Sequence, residues 1–487
     1  MALWRPDDLM RQRPVSDLVH APLAEWAHSR GGVVAIRCGE QTLTFAQLQA
    51  AVTQRSNSLI QSCAPATVMV NDDLPMVDRL VDFLGIIASG RCAAVGDPDW
   101  PPAIRKSVLA TLPEQAADLP APQPKSAFYV GYTSGSAGTP KGYVRHHQSW
   151  TSSFRACLDA FGPHASSCML APGRDSHSLF LFGMMLGLWS GAGVVVQEHF
   201  SAAGVLETLR RGLTPCLMAV PSQLMMMVKV AQHRGMAPIE DVRLILVSGS
   251  RWIRGRTAEL RALFPCARII EFYGASETSF MAWMDTDDTT PPPVVGLPFA
   301  NVEVQIRDKD EDGVGLIYVR SPMLFMDYVG GADDDTAALR DGDWLSVRDL
   351  GYVDEQGRLC LAGRQNRMIV TKGKNLFPEE LETVLATYPG VVNASVHGVE
   401  DPLRGLQVVA LLQLEQESSA KPPCALQLTA WCQQRLESYK APRQYFLASD
   451  WRFTPSGKTD HRALAQSLRH HLDGALATDW PCLTPLP

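Results

Sequence analysis

The chain has 487 residues, 46% of them hydrophobic and 20% charged, with a formal net charge of −7 at pH 7. That length exceeds what one hydrophobic core supports and implies roughly two or three domains. A negative balance without a basic run argues against a nucleic-acid surface, because phosphate backbones are bound by clustered Lys and Arg. The cysteines stand singly from Cys38 to Cys482, with no C-x-x-C pair and no Cys/His grouping at zinc spacing. Such thiols fit a reducing compartment, mostly as small buried hydrophobes. The stretch Met1-Ala2-Leu3-Trp4-Arg5-Pro6-Asp7-Asp8 has no signal-peptide core, so a cytoplasmic location is expected.

From about residue 20, helical patterns alternate with short β-branched runs, which predicts an α/β fold with a largely parallel sheet. Strands are expected at 126–132, 193–197, 216–220, 244–247 and 268–272, and helices at 223–234 and 257–264. The most apolar window, 179–196, is broken by glycines and a serine, with Asp175 and His177 just upstream. It reads as a buried helix entering a strand rather than a membrane span. After Pro291-Pro292-Pro293 the pattern changes, and 294–362 alternates as antiparallel strands do, for example at 302–306 and 315–319. A third region begins near 365. There Pro378-Glu379-Glu380 opens a helix whose apolar face is Leu381, Val384, Leu385 and Tyr388, before Pro389-Gly390 stops it. Strands at 391–399 and 406–414 and a helix at 426–438 complete a small domain, and weak patterning over 476–487 predicts a loosely ordered tail.

The stretch Gly131-Tyr132-Thr133-Ser134-Gly135-Ser136-Ala137-Gly138-Thr139-Pro140-Lys141-Gly142 follows the apolar run Ala127-Phe128-Tyr129-Val130. Open α/β sheets bind ligands at the carboxyl ends of their strands. Approachable backbone N–H groups, the hydroxyls of Thr133, Ser134, Ser136 and Thr139 and one lysine are the parts of an anion nest. A Gly/Ser-rich connector has a similar composition. A Walker A loop is excluded, because Thr139-Pro140 separate the last glycine from Lys141.

Pro140-Lys141-Gly142, with His147 five residues on, resembles the phosphate-loop signature of the adenylate-forming superfamily. That superfamily includes acyl- and aryl-CoA synthetases, luciferases and the adenylation domains of nonribosomal peptide synthetases. The resemblance recurs in order over roughly residues 20–465. Thr42-Leu43-Thr44-Phe45-Ala46-Gln47-Leu48 is similar to the "L-T-Y-x-E-L" segment, and Ser89-Gly90 through Asp97-Pro98 loosely to the next. Tyr273-Gly274-Ala275-Ser276-Glu277 resembles "Y-G-x-T/S-E". Asp349-Leu350-Gly351-Tyr352 with Gly363-Arg364 resembles "T-G-D-L-G-Y…G-R", and Pro455-Ser456-Gly457-Lys458 resembles "P-x-G-K".

The resemblance implies a large N-terminal domain (1–364) of parallel and mixed sheets with flanking helices and an antiparallel β-subdomain (about 294–362). A hinge at 365–366, a small mobile α+β domain at 367–470 and a tail at 471–487 would follow. It implies ATP-dependent activation of a carboxylic acid to an acyl-adenylate, with release of pyrophosphate. Transfer to the thiol of coenzyme A or of a carrier-protein phosphopantetheine is the second half-reaction. Thr133, Ser134, Gly135, Ser136, Gly138 and Lys141 would wrap the outer phosphates, although Ala137 stands where the family has a second hydroxyl residue. Glu277 would help hold Mg²⁺, Ser276 would touch the α-phosphate, and Tyr273 beside Gly274 would stack on adenine. Asp349 would accept the ribose hydroxyls, with Arg364 reaching the same ribose or phosphate. Lys458 would bridge the attacking carboxylate and the α-phosphate, and with Glu277 would carry the catalysis. Asn366 would be the hinge, in place of the family's Asp or Lys. Gly373, within Thr371-Lys372-Gly373-Lys374-Asn375, would line the thiol tunnel.

The substrate pocket would draw on His177, Ser178, Ser222, Ser248, Gly249, Ser250 and Phe272. His177-Ser178 takes the place of the "Phe-Asp" that anchors an α-ammonium in peptide-synthetase domains, and a buried ammonium without a carboxylate is costly. An acyl or aryl acid is therefore expected, unless Asp175 serves as anchor in a shifted register. Alternatives are a stand-alone amino-acid adenylation enzyme loading a separate carrier in trans, and an inactive nucleotide-binding protein. The presence of Lys458, Glu277 and Asp349 argues against the last.

Overall fold

The computed structural model describes residues 16–133, 140–330, 338–371, 374–401, 405–415, 422–454, 458–472 and 482–487. By packing, the chain divides into two units. The first comprises Met1–Thr289, Gly296–Gln305 and Tyr318–Val347; the second comprises Thr290–Val295, Ile306–Ile317 and Arg348–Pro487.

The first unit carries a run of parallel strands. Arg268–Ala275, Leu244–Val247, Cys216–Ala219, Met169–Ala171, Val194–Val196 and Val34–Cys38 lie side by side in that order. Antiparallel strands Ser279–Asp285 and Gln41–Thr44 flank the run. Cys216–Ala219 and Leu244–Val247 are buried at every position, as continuous apolar runs must be when helices cover both faces. Leu217, Ile245 and Ile269 pack against Val205, Leu206, Leu224, Met227 and Leu260 from helices Ala202–Arg210, Pro221–His233 and Thr257–Leu263. The apolar window resolves into the buried helix Ser178–Trp189 and the strand Val194–Val196. Among the described residues no helix is long and apolar enough to cross a membrane. The strand expected at 268–272 continues to Ala275, because Ser279–Asp285 pairs with it past a bulge at Tyr273/Gly274.

A second sheet in this unit runs Asp327–Tyr328, Lys141–His146, Ala127–Thr133, Cys92–Ala94, Thr67–Met69. The glycine-rich stretch joins two antiparallel neighbours of that sheet, with Thr133 opposite Lys141. It is a hairpin connection. Its first residue has no room for a side chain: a Cβ on Gly131 would lie 2.2 Å from the Tyr143 hydroxyl and 2.3 Å from that of Tyr129. Those hydroxyls are 3.1 Å apart and buried. Gly131→Ala is expected to destabilise the first unit by about 1–3 kcal/mol through overpacking, read as a lowered denaturation midpoint.

In the second unit, Gly315 and Leu316 pair with Gly351 and Leu350, and Asp349–Val353 pairs with Leu359–Arg364. Farther on, strands Val391–Asp401, Gly405–Leu414, Gln444–Ala448 and Leu483–Pro485 form a sheet in chain order. Leu381 and Leu385 of helix Pro378–Ala386 and Leu428 of helix Ala425–Gln433 pack on Val396, Ala410 and Leu412. The second of these helices ends earlier than its expected limit at 438, where a separate 3₁₀ turn, Ser438–Lys440, follows. The expectation of a loose tail fails at its end: Leu483–Pro485 pairs with Gln444–Ala448, and Leu483 joins the core with Val409, Leu411 and Leu464.

His397 and His461 both approach the buried Ser395 hydroxyl at 2.8 Å, and burial pushes each imidazole down to about 3. The unfolded chain takes up these protons near pH 6.5, so between about 3 and 6.5 it binds more protons than the fold. Stability therefore falls as pH drops through that window. The thermal midpoint of the second unit should decline from about pH 7 to pH 5, and His461→Gln should flatten that slope; an unaltered slope would refute the assignment.

Candidate active site

Within the first unit, a chain of contacts joins the phosphate-loop signature to the Tyr-Gly-Ala-Ser-Glu motif. Lys141 Nζ lies over the Tyr328 ring, 4.7 Å from its centre, and the Tyr328 hydroxyl donates to Glu277 Oε1 at 2.9 Å. The Phe325 N–H donates to the Glu277 carbonyl at 2.8 Å. The segment 323–328 thus holds Glu277 by backbone and by side chain. A half-buried carboxylate so oriented, with a lysine nearby, suits Mg²⁺ carried in on phosphate oxygens, since that ion takes only one or two protein carboxylates.

The motif turn is shaped by sterics. A Cβ on Gly274 would lie 2.0 Å from the Ser279 carbonyl oxygen, and the Ala275 N–H donates to Thr278 Oγ1 at 3.1 Å. Ser279 adopts a φ of 59° and hydrogen-bonds Ser153, Oγ to Oγ, at 2.8 Å. Behind the turn sits Arg145, 1% exposed. Its guanidinium donates to the Ser276 carbonyl at 2.8 Å, the Met323 carbonyl at 2.6 Å and Ser149 Oγ at 3.2 Å. Burial pulls its pKa down to about 10. His147, the signature's histidine, is a packing residue. Its Nδ1 accepts from the Val19 N–H at 3.2 Å, its ring stacks on Phe128 at 4.8 Å, and burial keeps it neutral, with a pKa of about 3.

Among the residues expected to line the acid pocket, His177 Nδ1 accepts from the Leu179 N–H at 3.4 Å and so caps helix Ser178–Trp189, which Ser178 begins. Its ring leans on Phe180 at 5.2 Å. Asp175 is 2% exposed and ion-paired with the buried Arg79; burial nonetheless outweighs Arg79 and raises the carboxyl's pKa. Ser222 stands in the first turn of helix Pro221–His233. Ser248 Oγ donates to the Phe272 carbonyl at 2.8 Å, Gly249 has a φ of 88°, and Ser250 is exposed. The Phe272 side chain is 5% exposed and packs between Phe161 and Phe280.

The second unit brings Asp349 and Arg364 together. They face each other across paired strands, with Arg364 Nε 3.2 Å from Asp349 Oδ1 and the carboxylate buried. Arg348 precedes Asp349 with a φ of 63°, in the left-handed region, where the family motif has glycine. Its carbonyl accepts from the Gln365 N–H at 2.9 Å and its guanidinium reaches Gln365 Oε1 at 3.3 Å. Asn366 is exposed in the 3₁₀ turn Gln365–Arg367. Arg367 is clamped by Glu379 at 3.0 Å and Glu382 at 2.6 Å. Lys458 is exposed, and its N–H donates to Thr454 Oγ1 at 3.2 Å while its carbonyl accepts from the Thr454 N–H at 2.7 Å. Ser134, Gly135, Ser136 and Gly138, with Ala137 and Thr139, lie outside the described residues, as do Lys372 and Gly373.

Sequence reasoning missed Arg145, Tyr328 and Arg348. No local spacing signals the first of these, because Arg145 acts on Ser276 and Met323, 131 and 178 positions away. A lone arginine inside the largely buried strand Lys141–His146 was the one available hint.

Residues 60–329 match the AMP-binding enzyme family and residues 380–458 match the AMP-binding enzyme C-terminal domain. An uncharacterized acyl–CoA ligase of Bacillus subtilis (strain 168), YhfT, is 37% identical over 369 residues, 74% of this chain and 73% of the relative. The o-succinylbenzoate CoA synthetase (MenE) of Bacillus subtilis, solved with an acyl-adenylate intermediate, superposes with a TM-score of 0.76 at 22% identity, covering 91% of this chain and 97% of its own. The anthranilate CoA ligase AuaEII, solved with anthranoyl-AMP, gives a TM-score of 0.81 at 18% identity, covering 97% of this chain and 100% of its own. The chain belongs to the AMP-binding enzyme family, and it is an AMP-forming ligase of the adenylate-forming superfamily.

Proposed function

We propose that this enzyme activates a small carboxylic acid lacking an α-ammonium group and passes the acyl group to coenzyme A. A carboxylate oxygen attacks the α-phosphorus of ATP and pyrophosphate leaves; a thiolate then attacks the acyl carbon and AMP leaves. Two anions must meet in the first step, so cations and donors aimed at the developing charge carry the catalysis. Thr133 and Lys141, with Ser134, Gly135, Ser136 and Gly138, would grip the outer phosphates. Glu277 would hold Mg²⁺, which would screen the phosphate oxygens. Ser276 would meet the α-phosphate, Tyr273 would cover adenine, and Asp349 with Arg364 would bind the ribose. Lys458 would bridge the reacting groups, and a small domain beyond Asn366 would turn to admit the thiol.

The substrate class rests on one observation: Asp175, the only acid near the His177-Ser178 position in sequence, is ion-paired with buried Arg79. An ammonium anchor there would compete with a guanidinium already in place. Coenzyme A is favoured by the acyl–CoA ligase name of the 37%-identical relative. The dispersed free cysteines fit a cytoplasmic enzyme. ATP–pyrophosphate exchange across aryl, fatty and amino acids, followed by thioester assays with coenzyme A and with carrier proteins, tests the reading. Exchange with glycine or alanine alone would overturn the substrate class, and turnover with a carrier alone would replace the acceptor by a carrier-bound phosphopantetheine.

A further inference from the structure

Arg145 is a buried cation whose hydrogen-bond partners are neutral; the carboxylate whose charge acts on it is that of Glu277, beyond ion-pair distance. Its three hydrogen bonds go to two carbonyls and a hydroxyl, and among the described residues no carboxylate lies within ion-pair distance of it. Buried charges are ordinarily paired, because desolvating an isolated ion is costly. Arg91 is likewise buried and held by carbonyls; what sets Arg145 apart is that its carbonyls belong to the turn bearing Glu277 and to the segment that holds Glu277.

We propose that Arg145 is a positioning residue for adenylation whose counter-charge is the phosphate chain of bound ATP. One guanidinium ties the carbonyl of Ser276 to that of Met323, so the motif turn and the segment bearing Phe325 and Tyr328 are fixed to each other. That segment in turn holds Glu277 twice, through the Phe325 N–H and the Tyr328 hydroxyl. The Tyr143 hydroxyl, two positions before Arg145 on the same strand, lies within hydrogen-bonding reach of the Ser276 and Ser178 side chains, so the strand touches the turn at a second point. Arg145 therefore acts in two ways: its geometry sets the turn, and its charge favours an anion in front of it.

The proposal rests on the ATP-dependent reading above, and two variants separate charge from geometry. Arg145→Gln keeps donors and loses the charge; Arg145→Lys keeps the charge but cannot span both carbonyls. With thermal midpoints checked, Arg145→Gln should raise the KM for ATP about tenfold or more, and weaken binding of a non-hydrolysable ATP analogue by the same factor. Arg145→Lys should hold that KM within about twofold while lowering kcat about tenfold. A Gln variant with the wild-type KM for ATP overturns the charge role, and a Lys variant with unchanged kcat overturns the positioning role. If the Gln variant does not fold, the Lys variant decides alone: raised KM with unchanged kcat refutes the proposal. Wild-type protein that binds no ATP analogue would refute the functional reading instead, whereas an Arg145→Gln variant binding as well as wild type refutes only the charge role of Arg145.

Discussion

Lys458→Ala abolishes adenylate formation, lowering ATP–pyrophosphate exchange by at least about 10², the scale expected when one preorganised charge is removed from a transition state. ATP binding survives, because the residues proposed to hold the nucleotide, Glu277, Lys141, Asp349 and Arg364, are untouched. The backbone of Lys458 is fixed through Thr454 by two hydrogen bonds, 3.2 and 2.7 Å, while its side chain stands exposed. A flexible stem on a fixed base lets an ammonium follow charge as it builds up between carboxylate and phosphate. Equilibrium binding of an ATP analogue and exchange kinetics, measured on the same preparation, check this. Unchanged exchange would sink the mechanism.

Asn366→Pro is expected to slow thioester formation more than adenylation, by about tenfold against threefold or less, since the proposed rotation between half-reactions needs a residue that can change φ and ψ. The two neighbours of Asn366 are each tied down. Gln365 is bound to Arg348 by its N–H and its side chain, and Arg367 is gripped by Glu379 and Glu382. Asn366 itself is exposed. A pivot with anchored neighbours concentrates torsional change in one residue, and proline removes that freedom there and restricts Gln365 as well. Single-turnover measurement of each half-reaction decides the matter; equal losses in both would count against the pivot.

The fold was legible where local pattern determines it. The run Leu244–Val247 occupies the expected positions because a fully buried strand must be apolar throughout. The helix beginning at Pro378 starts where proline and acids place its first turn. The strand at Leu483–Pro485 was not legible, since its partner, Gln444–Ala448, rather than its own residues, creates it. The same division holds at the site. Ordered motifs pointed to Asp349 and Arg364, which the fold sets 3.2 Å apart. Tyr328 and Arg145 carry no local signature, because their importance lies in contacts 51 and 131 residues away along the chain.

At the proposed acid site, the pairing of Arg79 with Asp175 also restricts how the substrate could change. Losing Arg79 alone strands a buried carboxylate, and losing Asp175 alone strands a buried guanidinium; either step costs about 3–5 kcal/mol. A drift toward amino-acid activation that recruits Asp175 must therefore pass through an unstable single variant or change both residues at once. Laboratory selection for such a switch should return the two substitutions together, or find its new carboxylate elsewhere in the pocket.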